Sequence, residues 1–146
     1  MTAEPRARVT ILRRLVPIAA GGAVTLLLTA VTDSWLSARG LLPAAGVQAY
    51  GTGSLAMAAA YRGVFATVGC HLAARLAPRG HPRLPYALAL GTVLLMLSVG
   101  AASAMWGQVP PWYPLIAIAM TLPCALIGGA TAVRVMAARE RDGQPR

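Results

Sequence analysis

Polar and apolar positions along this chain sort into four long apolar runs separated by short polar breaks. The runs cover about residues 15–36, 54–77, 84–106 and 113–133. Each reaches the roughly 20 residues that carry a helix across about 30 Å of hydrocarbon. In lipid the backbone must satisfy its own hydrogen bonds, so each run reads as a helix. The pattern predicts an all-α protein, an integral membrane four-helix bundle over 15–133. Basic tails flank it at 1–14 and 134–146.

The prolines fit this division. Pro17, Pro85 and Pro114 fall where the first turns of spans are expected, and a missing donor costs little there. Pro123 falls mid-span, which predicts a kink in the fourth helix. The segment 37–53 is rich in Gly, Ala and Pro, with few charges. No internal repeat is visible, so the pattern does not point to an inverted-repeat transporter in a single copy.

Composition agrees with the membrane reading. Among 146 residues, 57% are hydrophobic and 12% charged, about half the charged share of a soluble domain. The mean hydropathy is +0.62. The net charge of +9 comes from thirteen cations, all arginine. They gather at span ends rather than along one helical face, which argues against nucleic acid and for anionic lipid headgroups. The bilayer itself is thus the first expected partner.

Arginine placement also predicts topology. Arg6, Arg8, Arg13 and Arg14 precede the first span. Arg75, Arg79 and Arg83 lie between the second and third. Arg134, Arg139, Arg141 and Arg146 follow the fourth. Only Arg39 lies in the remaining loops. The positive-inside rule then places both termini and the middle loop in the cytoplasm, and the all-arginine composition suggests a bacterial source and hence an inner membrane. Trp35, Tyr50, Trp106, Trp112 and Tyr113 mark the outer interface, and Tyr86 the inner one. A cleaved or twin-arginine signal at Arg13-Arg14 fits poorly, because the apolar run continues past Leu28-Thr29-Ala30.

One position breaks the second run. Arg62 stands near its middle, where a cation costs about 2.5–3.5 kcal/mol on insertion scales unless it is partnered. Asp33 is the one acidic residue within or beside any span. At about 100° per residue, Ala58, Ala66, Gly69 and Ala73 share the face of Arg62. Met57, Tyr61, Val64, Val68 and Leu72 lie on the flanks and far side. In the first span, Gly22, Leu26 and Thr29 share the face of Asp33. Both charges are therefore expected to point into the bundle, where Asp33 and Arg62 form a candidate ion pair. Small residues let helices approach closely, and Gly22, Ala58, Ala66, Gly69 and Gly100 are the expected packing positions.

Other chemistry is sparse. Cys70 and Cys124 lie inside spans and read as small buried hydrophobes. His71 and His81 lack zinc-ligand spacing. There is no Cys-x-x-Cys, no facing histidine pair for haem, no phosphate-binding loop and no nucleophile elbow. No cofactor, no metal and no catalytic residues are expected.

Several strings, taken together, are similar to those of a known set of proteins. They are Ala60-Tyr61-Arg62, Ala73-Ala74-Arg75-Leu76-Ala77-Pro78 and Ala87-Leu88-Ala89-Leu90-Gly91. Leu97-Ser98 with Gly100-Ala101, Trp112-Tyr113-Pro114, and Leu122-Pro123 with Gly128-Gly129 complete them. From about Thr32 onward the chain resembles a family of small uncharacterised bacterial four-span inner-membrane proteins. A histidine often stands in that family where this chain has Tyr86. The resemblance implies the four-span architecture and no activity.

These features lead to a non-enzymatic structural or interaction module, or an accessory subunit, assembling as a homo-oligomer or with a membrane partner protein. The alternative is a small carrier or channel subunit, for an ion or small solute, with Arg62 and Asp33 in a polar path.

Overall fold

In the computed structural model, residues 4–42, 51–78 and 80–142 are described, with side chains over 14–42, 51–78 and 80–141. Tyr50, Arg79 and Arg146 lie outside the described residues, as do the side chains of Arg6, Arg8 and Arg13. Four helices account for nearly all of the rest: α1 (Glu4–Ala38), α2 (Thr52–Arg75), α3 (Leu84–Ala104) and α4 (Trp112–Asp142). No strand is present among the described residues, only an isolated bridge between Trp106 and Val109 in the α3–α4 turn. All four helices are long and apolar enough to cross a membrane. Large apolar side chains such as Leu27, Val64, Met96 and Leu115 point outward. Lipid, rather than protein, is the natural environment for that surface.

The tails depart from the expected boundaries. α1 begins at Glu4 and α4 runs to Asp142, so both basic segments continue the helices instead of forming separate tails. Arginine, leucine and alanine are good helix formers, and neither 6–14 nor 134–142 contains a glycine or proline. Pro17 therefore lies inside α1, not in its first turn. Pro123 lies inside an unbroken α4. Each proline leaves one carbonyl four residues earlier without a helical donor. Pro85 does stand at the start of α3.

α1 ends at Gly40. Its φ of 70° is left-handed backbone that glycine adopts without strain. The turn lets Leu41 N–H donate to Leu36 O at 3.0 Å and so satisfies an end carbonyl.

α2 and α4 form the most extensive contact, α3 packs on α4, and α1 packs on α2 while touching α3 lightly. The core lies towards the end where the basic segments gather. Cys70, Ala73, Ala74, Ala87, Leu90 and Ala125 form its centre. Glycine is required there because backbones meet. A β-carbon on Gly69 would run into the Thr25 hydroxyl and lie 2.6 Å from Gly21 O. One on Gly128 would lie 2.5 Å from Thr67 O. The Thr25 Oγ1 donates to Gly21 O at 3.0 Å and is shared with Phe65 O at 3.3 Å, which ties α1 to α2.

Of the expected packing positions, Ala58 is buried, Ala66 is partly buried against the core and Gly69 sits at the α1–α2 crossing. Gly22 takes a lesser part, with Leu90 at 3.4 Å from its would-be β-carbon. Gly100 packs against nothing within 4 Å, because its face of α3 turns outward. The packed face of α1 is centred on Gly21 and Thr25 rather than on Gly22 and Leu26. Leu26 remains 56% exposed.

Candidate functional site

The half of the bundle farthest from the basic end is built differently. α1 rises into it and ends near Trp35. α2 descends from Thr52, so Arg62 is about ten residues, or roughly 15 Å, along the helix. The Arg62 side chain reaches back up. Its Nη2 donates to Asp33 Oδ2 at 2.8 Å, and its Nη1 donates to the Tyr113 hydroxyl at 2.7 Å. Tyr61 O–H donates to the other Asp33 oxygen. One carboxylate, one guanidinium and two phenols thus join α1, α2 and α4.

Local packing explains these positions. Tyr113 is the second residue of α4. Its ring is buried among Leu55, Ala58 and Val109, with Trp112 edge-on at a centroid distance of 6.0 Å. That seat directs the hydroxyl toward Arg62. Tyr61 lies one residue before Arg62 and rests tilted against Phe65 at 5.6 Å. The charged side chains are not sealed in: Arg62 keeps 42% and Asp33 32% of its surface. Asp33 and Arg62 neutralise each other, so the cluster carries both signs but no net charge.

Beside the cluster lies a cavity of about 250 Å³ that takes residues from all four helices. Thr25, Leu26 and Thr29 form its α1 wall, and Leu94, Leu97 and Ala101 belong to its α3 wall. α1 and α3 meet closely only lower down, where Leu90 abuts Gly21 and Gly22. Leu26 and Leu97 are 56% and 53% exposed, so they rim an opening on the apolar flank.

The cavity is more apolar than its residue names imply. Thr25 donates to Gly21 O, Thr29 donates to Thr25 O at 2.8 Å, and Thr121 donates to Ala117 O at 2.8 Å. Each of these hydroxyls is turned back onto its own helix and shows the cavity mainly carbon. Strong polarity is confined to the end held by Arg62 and Tyr113.

The remaining candidates are scattered. His71 Nδ1 lies 3.1 Å from Thr131 Oγ1, and His81 Nε2 lies 3.4 Å from an Arg14 nitrogen. Cys70 is buried in the core, while Cys124 lines the cavity. Neither cysteine is in a disulfide. Among the described residues no three His, Cys, Asp or Glu side chains converge.

Sequence reasoning joins Asp33 to Arg62 but passes over both tyrosines. Tyr113 reads as an interfacial ring, and Tyr61 falls on the flank of α2. The one available signal is that Tyr61 adjoins the mid-span cation and Tyr113 opens the helix that faces it. No family model, curated protein or solved structure matches the chain, so its function must be read from its own geometry.

Proposed function

We infer that this chain is a small multi-pass protein of the bacterial cytoplasmic membrane, with both termini inside. It works as a non-enzymatic interaction module or accessory subunit, and its binding part is the hollow half of the bundle away from the basic end. Arginine placement supports the orientation. A reporter active only in the periplasm should be silent when fused at the C-terminus and active in the α1–α2 loop. The opposite result would invert the topology.

The observation that carries the binding role is the cavity. Its lining residues Leu26 on α1 and Leu97 on α3 are more than half exposed on the apolar flank, and close-packed backbone lies below it. A carrier path would have to continue through the basic half, where Cys70, Ala73, Ala74 and Ala87 fill the space. Binding from the side therefore has more support than passage from end to end.

A photoreactive amino acid at Leu97 tests this in native membranes. The expected outcome is a discrete adduct, well above the yield from the same probe at Leu126. Leu126 is exposed to the same extent on α4 but does not line the cavity. Equal yields would remove the basis for a binding role. Leucine at Gly69 is no test of self-assembly, because that glycine lies inside the single-chain fold.

A further inference from the structure

Given the binding role argued above, on which this inference rests, we propose that the cavity takes one acyl chain of a zwitterionic phospholipid and holds its head at the Asp33–Arg62 cluster. Three observations converge on that occupant.

The first is size. Pockets that enclose a whole small-molecule ligand run to roughly 300–1,000 Å³. At about 250 Å³ this cavity falls short of that range. It suits a segment of a larger molecule, with the rest lying outside the rim. A lipid beside Leu26 and Leu97 already stands at that opening, so one chain enters without crossing water.

The second is the gradient of polarity. Apart from Ser98, the walls are mainly carbon, because the threonine hydroxyls donate to backbone carbonyls. Hydrogen-bonding capacity is concentrated at one end. Trp35, Trp106 and Trp112 mark that same end of the bundle, and such rings favour the headgroup level. Tail and head of a lipid therefore meet matching surfaces in the order in which the bilayer presents them.

The third is charge. The Arg62 guanidinium has more N–H donors than its contacts to Asp33 and Tyr113 use, and phosphate is a preferred acceptor for them. Asp33 stands 2.8 Å from the same group and remains partly exposed. It repels a purely anionic head and attracts an ammonium. A head with phosphate and ammonium together satisfies both residues.

The test uses the full chain released from bilayers with equal parts of phosphatidylethanolamine and phosphatidylglycerol, matched in acyl chains. Lipid retained on the protein is identified by native mass spectrometry. The expected result is a single retained phosphatidylethanolamine, enriched several-fold over phosphatidylglycerol. Ala101→Trp, which projects bulk from an exposed position on the cavity wall, should abolish retention while the protein still accumulates. Asp33→Asn should shift the preference to phosphatidylglycerol. If that variant does not accumulate, the wild-type preference and Ala101→Trp decide the matter. Equal retention of both lipids, no retained lipid, or unchanged retention in Ala101→Trp would each overturn the proposal. A discrete Leu97 adduct that proves to be protein would also overturn it, while leaving the binding role intact.

Discussion

The two halves of this bundle use the same helices to opposite ends. Toward the basic end, Gly21, Gly69 and Gly128 let backbones meet, Gly91 and Gly129 make room for alanine and leucine side chains, and alanine and cysteine fill what is left. Toward the other end the helices part, a cavity opens, and side chains reach across it through an ion pair and two phenols. Lipid tails are as apolar as leucine, so burial in water-free surroundings gives helices little reason to associate. Contact must come from close packing or from polar bonds. Here the basic half relies mainly on close packing, with Thr25 bridging α1 and α2. The other half adds an ion pair and two phenols to a smaller packed cluster around Tyr113 and so need not be filled throughout.

The sharpest way to break the comparison is to give the packed half a side chain. In Gly69→Leu the new atoms would meet the Thr25 hydroxyl and the Gly21 carbonyl. Backbone cannot yield as a flexible side chain can, so the cost should be about 3 kcal/mol or more. The expected outcome is loss of folded protein from the membrane. Normal accumulation would show that the α1–α2 crossing is not what holds this half together.

Next in size is the polar half's own tie. Removing either charge leaves the other without its main partner. The pair is partly exposed, so the loss should fall between that of surface and buried pairs, about 1–2 kcal/mol. Asp33→Arg and Arg62→Asp should each lower accumulation, and the double swap should restore most of it. If Arg62→Asp alone accumulates normally, the pair is not structural, and a ligand becomes the better reason for both charges.

Smaller still is Tyr61→Phe. It removes one hydrogen bond to Asp33 and keeps the ring contact with Phe65. A bond to a partly exposed carboxylate should be worth about 1 kcal/mol. Thermal unfolding in detergent should show a modest drop, less than that for Arg62→Ala. A drop as large as that for Arg62→Ala would make the tyrosine an equal member of the tie.

What could be read in advance follows the same division. Helices are legible because hydrocarbon length and backbone satisfaction leave no other choice. Asp33 is legible as the partner of Arg62 because a mid-span cation has few acidic residues to choose from. The tyrosines are harder: Tyr113, at a span end, has a sufficient reason to be there without any bond, and Tyr61 lies on the flank of α2 rather than on the face of Arg62. The rotation of α1 is harder again. Gly21 and Gly22 are adjacent, and small residues on two neighbouring stripes do not say which one faces α2. The cavity has no sequence signal, since it depends on how lightly α1 and α3 touch.

Gly100 offers the mildest and most discriminating contrast. Like Gly69 it lies within a helix of small residues, and its sequence context invites the same reading as a packing position. Yet nothing lies within 4 Å of a β-carbon there. Its φ is not among the positive values, so alanine adopts the same backbone. Gly100→Ala should then gain roughly 0.5–1 kcal/mol, the usual benefit of alanine over glycine in a helix. The same change at Gly69 should be destabilising, because backbone occupies the space. Thermal unfolding of the two variants side by side gives opposite signs if glycine is needed only where backbones meet within the chain. If Gly100→Ala is also destabilising, another helix must come close to that face in the membrane, and the outward side of α3 becomes a contact with a second polypeptide.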